Sequence, residues 1–148
     1  MEIAILGLGC FWGPERKFNE IEGVIKTEVG YCGGKSKETS YQEVCAGSTG
    51  HAEVVKITFD ENIIQYEKII NLFFDFHDPT TLDQQGPDIG DQYRSEIFYS
   101  NEFQKKVAEK VLKERNLDFK DKIVTKVSEV LNYCRAEEYH QKYLMKNL

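Results

Sequence analysis

Apolar and polar positions alternate along this chain in two periods, and together they predict a sheet with helices laid on it. Ile3-Ala4-Ile5-Leu6 sits within a strand predicted over Glu2 to Leu8, and a helix follows from Trp12 to about Ile21. A strand over Val24 to Gly30 comes next. From His51 to Phe59, Glu53, Val55, Ile57 and Phe59 alternate with Ala52, Val54, Lys56 and Thr58, so this strand sets Glu53 on a face with apolar residues. Ile69, Ile70, Phe73 and Phe74 form one stripe of a helix over Tyr66 to Phe76, which stops ahead of Pro79. After a strand at Glu96 to Tyr99, Asn101 and Gln104 have capping-box spacing. They open a helix whose predicted buried stripe is Phe103, Val107, Ala108, Val111 and Leu112. A last strand is predicted over Lys122 to Val130 and a short helix over Ala136 to Leu148.

Two stretches, Tyr31 to Gly50 and Thr80 to Tyr93, are rich in Gly and polar residues without period, and read as long loops. Loops of that length in a compact domain generally carry function. The element order predicts the α+β class: a two-layer sandwich whose mixed β-sheet has a split β-α-β (ferredoxin-like) core with long functional loops.

A chain of 148 residues suits one domain, here the whole of 1–148. Its 19 Lys+Arg and 25 Asp+Glu are interleaved and give a net charge of -6, so no basic stripe offers itself to nucleic acid. No apolar run reaches the length of a membrane span, and the first nine residues lack the pattern of a signal peptide. The expected address is cytoplasmic, where Cys10, Cys32, Cys45 and Cys134 stay reduced rather than forming a disulfide framework. None of them forms a C-x-x-C pair, and His51, His77 and His140 lack i, i+4 spacing, so no metal site and no bound cofactor are expected.

The candidate chemistry centres on Gly9-Cys10-Phe11-Trp12-Gly13, at a strand-to-helix turn. Backbone N–H groups at a helix start favour a thiolate, so Cys10 is expected to be acidified and nucleophilic; a merely buried cysteine is the plainer alternative. Gly7-x-Gly9-x-x-x-Gly13 also imitates a dinucleotide-binding loop, although Cys10, Phe11 and Trp12 crowd it. Glu53, desolvated beside aromatic rings, would hold its proton and donate it near neutral pH, unless it pairs with a Lys or Arg or meets solvent at the strand end. Tyr41 and Tyr93 lie in the loops as hydroxyl donors or as lids on the core, and Asp88 as a site carboxylate or a turn cap. Phe11 and Trp12 form either an apolar slot for a small alkyl group or ordinary core.

The motifs Gly9-Cys10-Phe11-Trp12-Gly13, Gly30-Tyr31-x-Gly33-Gly34, Tyr41-x-Glu43-Val44-Cys45, Gly50-His51-Ala52-Glu53, His77-Asp78-Pro79-Thr80-Thr81, Gln85-Gly86-x-Asp88, Gln92-Tyr93-Arg94-Ser95 and Ala136-Glu137-x-Tyr139-His140-Gln141 run in order over nearly the whole chain. In them the chain resembles the A-class peptide methionine sulfoxide reductases. The resemblance implies thiol-dependent reduction of methionine S-sulfoxide, free or in proteins, for the repair of oxidised proteins under oxidative stress. Cys10 would attack the sulfoxide sulfur and become a sulfenic acid. Glu53 would protonate the oxygen, Tyr41 and Tyr93 would hydrogen-bond it, Asp88 would order the site, and Phe11 and Trp12 would hold the S-methyl group. Many relatives recycle the nucleophile with a cysteine in a glycine-rich C-terminal tail, which this sequence does not continue into. Either Cys32 or Cys134 would then resolve the sulfenic acid, or an external thiol such as thioredoxin, glutaredoxin, glutathione or dithiothreitol would attack it directly; an external thiol, rather than either internal cysteine, is the favoured expectation. Relatives also carry selenocysteine at the nucleophile position. The competing readings are a non-catalytic binder of methionine or methionine sulfoxide side chains and a dinucleotide-dependent enzyme.

Overall fold

The computed structural model describes residues 1–146. Its chain order is β1 (Glu2–Leu8), α1 (Trp12–Asn19), β2 (Val24–Cys32), α2 (Tyr41–Cys45), β3 (Ala52–Phe59), α3 (Tyr66–Asp75) and a small hairpin, β4 (Gln84–Gln85) with β5 (Asp88–Ile89). There follow β6 (Ser95–Tyr99), α4 (Glu102–Asp118), β7 (Lys126–Glu129), β8 (Cys134–Arg135) and α5 (Tyr143–Lys146). Six strands form one mixed sheet in the order β7-β6-β1-β3-β2-β8, with every neighbouring pair antiparallel except β6 and β7. β3 thus lies between β1 and β2, the two strands that α1 connects. The architecture is a mixed α+β fold. No helix among the described residues is long and apolar enough to cross a membrane.

Period-two burial divides the sheet into two faces. Ala4, Leu6 and Leu8 of β1 join Val55, Ile57 and Phe59 of β3 in the main core, closed by Phe18 of α1, Ile69, Ile70, Phe73 and Phe74 of α3, and Ala108 and Val111 of α4. The opposite face buries a smaller set: Ile5, Cys32, Ala52, Val54 and Phe98. Val130 and Tyr133, on the stretch between β7 and β8, pack against it.

Several boundaries differ from the sequence reading. β2 continues to Cys32, and the expected loop after it contains α2. The last long strand shortens to β7, and the expected C-terminal helix resolves into a 3-10 turn at Glu138–His140 and α5, its final two positions lying outside the described residues. Phe103 is 67% exposed rather than part of the buried stripe of α4. That face of the first turn belongs to the buried Gln104, whose side chain accepts from the Ser100 N–H at 2.9 Å and donates to the Ile3 carbonyl at 2.8 Å. The cap itself forms, since Asn101 Oδ1 accepts from the Gln104 N–H at 2.9 Å.

Candidate active site

The site lies where the β1–α1 turn, the start of β3 and the two long loops meet. Gly9 has φ +93°, and a Cβ there would come 2.7 Å from Cβ of Gln85. Only glycine both adopts this backbone and lets the β4–β5 hairpin seat against the Cys10 turn. Gln85 is tied in turn to the Asp78 backbone, accepting from its N–H at 2.9 Å and donating to its carbonyl at 2.8 Å. The Gly7 to Gly13 run therefore receives a protein hairpin.

Glu53, the second residue of β3, pairs across the sheet with Tyr31 and is 1% exposed. Its Oε1 accepts from the Phe11 N–H at 3.3 Å, which ties the carboxyl to the residue following Cys10. Oε2 is buried and has no hydrogen-bond partner among the described residues. Loss of water raises the Glu53 pKa to about 8; the Phe11 N–H opposes this and the charge of Asp88 adds to it. The carboxyl is therefore protonated at neutral pH and holds a donor at the Cys10 turn.

Burial also raises the Cys10 thiol, to about 11, with Glu53 and Asp88 adding repulsion. The Trp12 N–H at the start of α1 lowers it by less. The expectation of an acidified thiol is corrected: one helix-start N–H does not offset the desolvation of a half-buried sulfur beside two carboxyl groups. Electrostatic contacts bring the other predicted residues to the same place. Tyr93, raised to about 12 chiefly by burial, feels Glu53, Cys45, Asp88 and Cys10. Tyr41, also raised chiefly by burial, feels Cys45, Glu53 and Tyr93. Both hydroxyls keep their protons and remain donors.

Phe11 is buried and Trp12 half-buried. Their rings meet the C-terminal strap, whose motif over 136–141 carries no role that the sequence alone reveals. Trp12 Nε1 donates to His140 Nδ1 at 3.2 Å, and the Trp12 ring stacks on Tyr143 with centroids 3.8 Å apart. The His140 ring also meets Phe11 at 5.2 Å and Tyr41 at 4.5 Å. Glu137 accepts from the Tyr31 hydroxyl at 2.8 Å and from the Tyr41 N–H at 2.9 Å. Gln141 bonds both the N–H and the carbonyl of Val29, fastening the strap to β2. α2 is capped by Ser40, whose hydroxyl accepts from the Glu43 N–H at 3.2 Å.

The two internal candidates for recycling lie elsewhere. Cys32 is fully buried in the core on the face opposite Glu53, with its thiol on the Leu131 carbonyl at 3.4 Å. Cys134, on β8, meets the Thr39 carbonyl at 3.7 Å and that of Arg135 at 3.6 Å. The thiol that acts electrostatically on Cys10, Tyr41 and Tyr93 is the exposed Cys45, which the sequence reading left without a role.

Comparison with known proteins bears on the same residues. The sequence profile of the family described as peptide methionine sulfoxide reductase matches residues 2–148. A relative named peptide methionine sulfoxide reductase MsrA, from Pelagibacter ubique, is 66% identical over 146 residues, covering 99% of each chain. Among solved structures, reduced Mxr1 from Saccharomyces cerevisiae superposes with a TM-score of 0.95 at 36% identity, covering 99% of this chain and 85% of its own. Methionine sulfoxide reductase A of Corynebacterium diphtheriae gives 0.91 at 32% identity, covering 99% and 74%. These matches set aside the dinucleotide and non-catalytic readings. The chain therefore belongs to the peptide methionine sulfoxide reductases of the MsrA class, oxidoreductases that reduce methionine sulfoxide.

Proposed function

We propose that Cys10 attacks the sulfur of the S epimer of methionine sulfoxide, free or in proteins, while Glu53 delivers a proton to the oxygen. Attack forms a bond between the Cys10 sulfur and the substrate sulfur; the protonated oxygen then passes to the Cys10 sulfur as the substrate S–O bond and that new S–S bond break, so the substrate sulfur gains two electrons and leaves as methionine while Cys10 is oxidised to a sulfenic acid. Tyr41 and Tyr93 donate to that oxygen, Asp88 orders the site, and Phe11 and Trp12 hold the S-methyl group. The single observation behind these roles is the buried, neutral Glu53 with an unpartnered oxygen next to the Cys10 turn. A sulfoxide oxygen is a poor leaving group until protonated, and a positioned acid supplies about 10²–10⁴-fold in rate. The strand order β6-β1-β3-β2, with α1 and α3 as crossovers, supports the split β-α-β, ferredoxin-like reading, and the family match over 2–148 supports a single catalytic domain.

An external thiol then attacks the sulfenic acid, releasing water and forming a mixed disulfide that a second thiol resolves. Mxr1 has been solved in complex with Trx2, which supports thioredoxin as that reductant; glutaredoxin, glutathione and dithiothreitol supply the same chemistry. Oxidised proteins in a reducing, cytoplasmic compartment are the proposed substrates, in a repair role. The test uses a peptide with both sulfoxide epimers and dithiothreitol. Wild type is expected to consume only the S epimer and Cys10→Ser to consume neither; turnover by Cys10→Ser overturns the assignment.

A further inference from the structure

Three connecting segments supply residues of the proposed site, and one partly buried cation touches all three. Arg94 follows Tyr93 directly, and its side chain is 12% exposed. Nε donates to Glu96 Oε1 at 2.6 Å, and Glu96 is itself buried. Nη1 donates to the carbonyl of Asp91, first residue of the 3-10 turn that ends in Tyr93, at 2.9 Å. Nη2 donates to the carbonyl of Gly50, three residues before Glu53, also at 2.9 Å. The same Nη2 lies where a Cβ on Gly33 would approach to 3.1 Å, so the guanidinium rests on the bare backbone of the loop that leads to Tyr41.

We propose that Arg94 is a positioning residue for the reaction: its planar fork locks the Tyr93 turn to the entry of β3, and so fixes the Tyr93 hydroxyl relative to Glu53. Only a guanidinium does this, because one rigid plane presents separate N–H groups to a carboxylate and to two carbonyls on different loops. A lysine ammonium keeps the buried charge opposite Glu96 and loses the fork. The inference rests on the proposed role of Tyr93 as a donor to the sulfoxide oxygen.

The test compares wild type, Arg94→Lys, Tyr93→Phe and the double variant in steady-state reduction of a sulfoxide peptide with dithiothreitol, with thermal unfolding as the folding control. Arg94→Lys keeps its charge partner and is expected to fold. It is expected to lose about tenfold in kcat, the worth of one misplaced hydrogen bond, with KM changed less than about threefold. In the Tyr93→Phe background the same change is expected to cost less than about twofold, since there is no hydroxyl left to misplace. A merely structural arginine gives equal losses in both backgrounds, and that result overturns the proposal, as does an Arg94→Lys enzyme with wild-type kcat. Should wild type itself release no methionine, the failure lies with the assigned reaction. Cys10 alkylation rates across the four proteins then read the site geometry, and identical rates overturn the lock.

Discussion

Glu53→Gln is the sharpest test of the site, because one substitution should change activity and stability in directions that no ordinary surface glutamate produces. The amide keeps a carbonyl oxygen for the Phe11 N–H and fills nearly the same volume, but it cannot yield a proton. Reduction of methionine sulfoxide is expected to fall about 10²–10⁴-fold while Cys10 remains alkylatable. The stability effect follows from the raised pKa. The unfolded chain releases this proton near 4.5 and the folded chain near 8, so the native state binds the extra proton between those values. Stability from this group is therefore fully present below 4.5 and lost as pH rises through 8, at about 1.4 kcal/mol per pH unit. With the carboxyl almost wholly out of water, the loss between pH 5 and pH 9 is about 4 kcal/mol. Glu53→Gln lacks that slope, so urea unfolding should find it gaining on wild type by that order across the range.

The same pair of groups sets the pH profile of the first turnover. Attack needs a thiolate and an acid together, a state with one proton shared between Glu53 and Cys10. That state fills as pH rises to about 8 and empties above about 11. Single-turnover rates are expected to climb to about 8 and then level off. A difference in unfolding free energy that stays flat from pH 5 to 9, or turnover by Glu53→Gln within threefold of wild type, refutes the reasoning.

Two further outcomes follow from the packing around the Cys10 turn. After one turnover without reductant, mass spectrometry should find Cys10 as a sulfenic acid trapped by dimedone. A Cys10–Cys32 or Cys10–Cys134 disulfide should not form, since Cys32 faces the other core and the Cys134 sulfur rests on Thr39 and Arg135 carbonyls; detecting either pairing refutes this placement. Glu137→Ala should release the Tyr31 hydroxyl and the Tyr41 N–H together, lowering stability by about 1–3 kcal/mol and raising KM. Unchanged kinetics would show that the strap has no part in holding Tyr41.

What the sequence revealed and what it concealed divide along a physical line. The alternation from His51 to Phe59 was enough to turn Glu53 toward the main core, because a strand has only two faces and its three partners on that face, Val55, Ile57 and Phe59, are all apolar. Asn101 and Gln104 marked the start of α4 for the same reason: caps are local. Sealing of the second core by Val130 and Tyr133 was not legible, since Val130 ends the predicted strand, Tyr133 lies beyond it, and both gain their place only from the sheet they cover. The role of Gly9 was equally hidden, being set by the approach of Gln85 from 76 positions away. The acidity of Cys10 failed for a related cause. A helix start can be read from neighbouring residues, but the water a sulfur loses depends on everything folded over it. Desolvation acts on Cys10 and Glu53 alike and keeps both protonated at neutral pH. Burial that holds the acid ready must therefore also hold back the nucleophile, and the proposed reaction runs through the small fraction in which one proton has already left the pair.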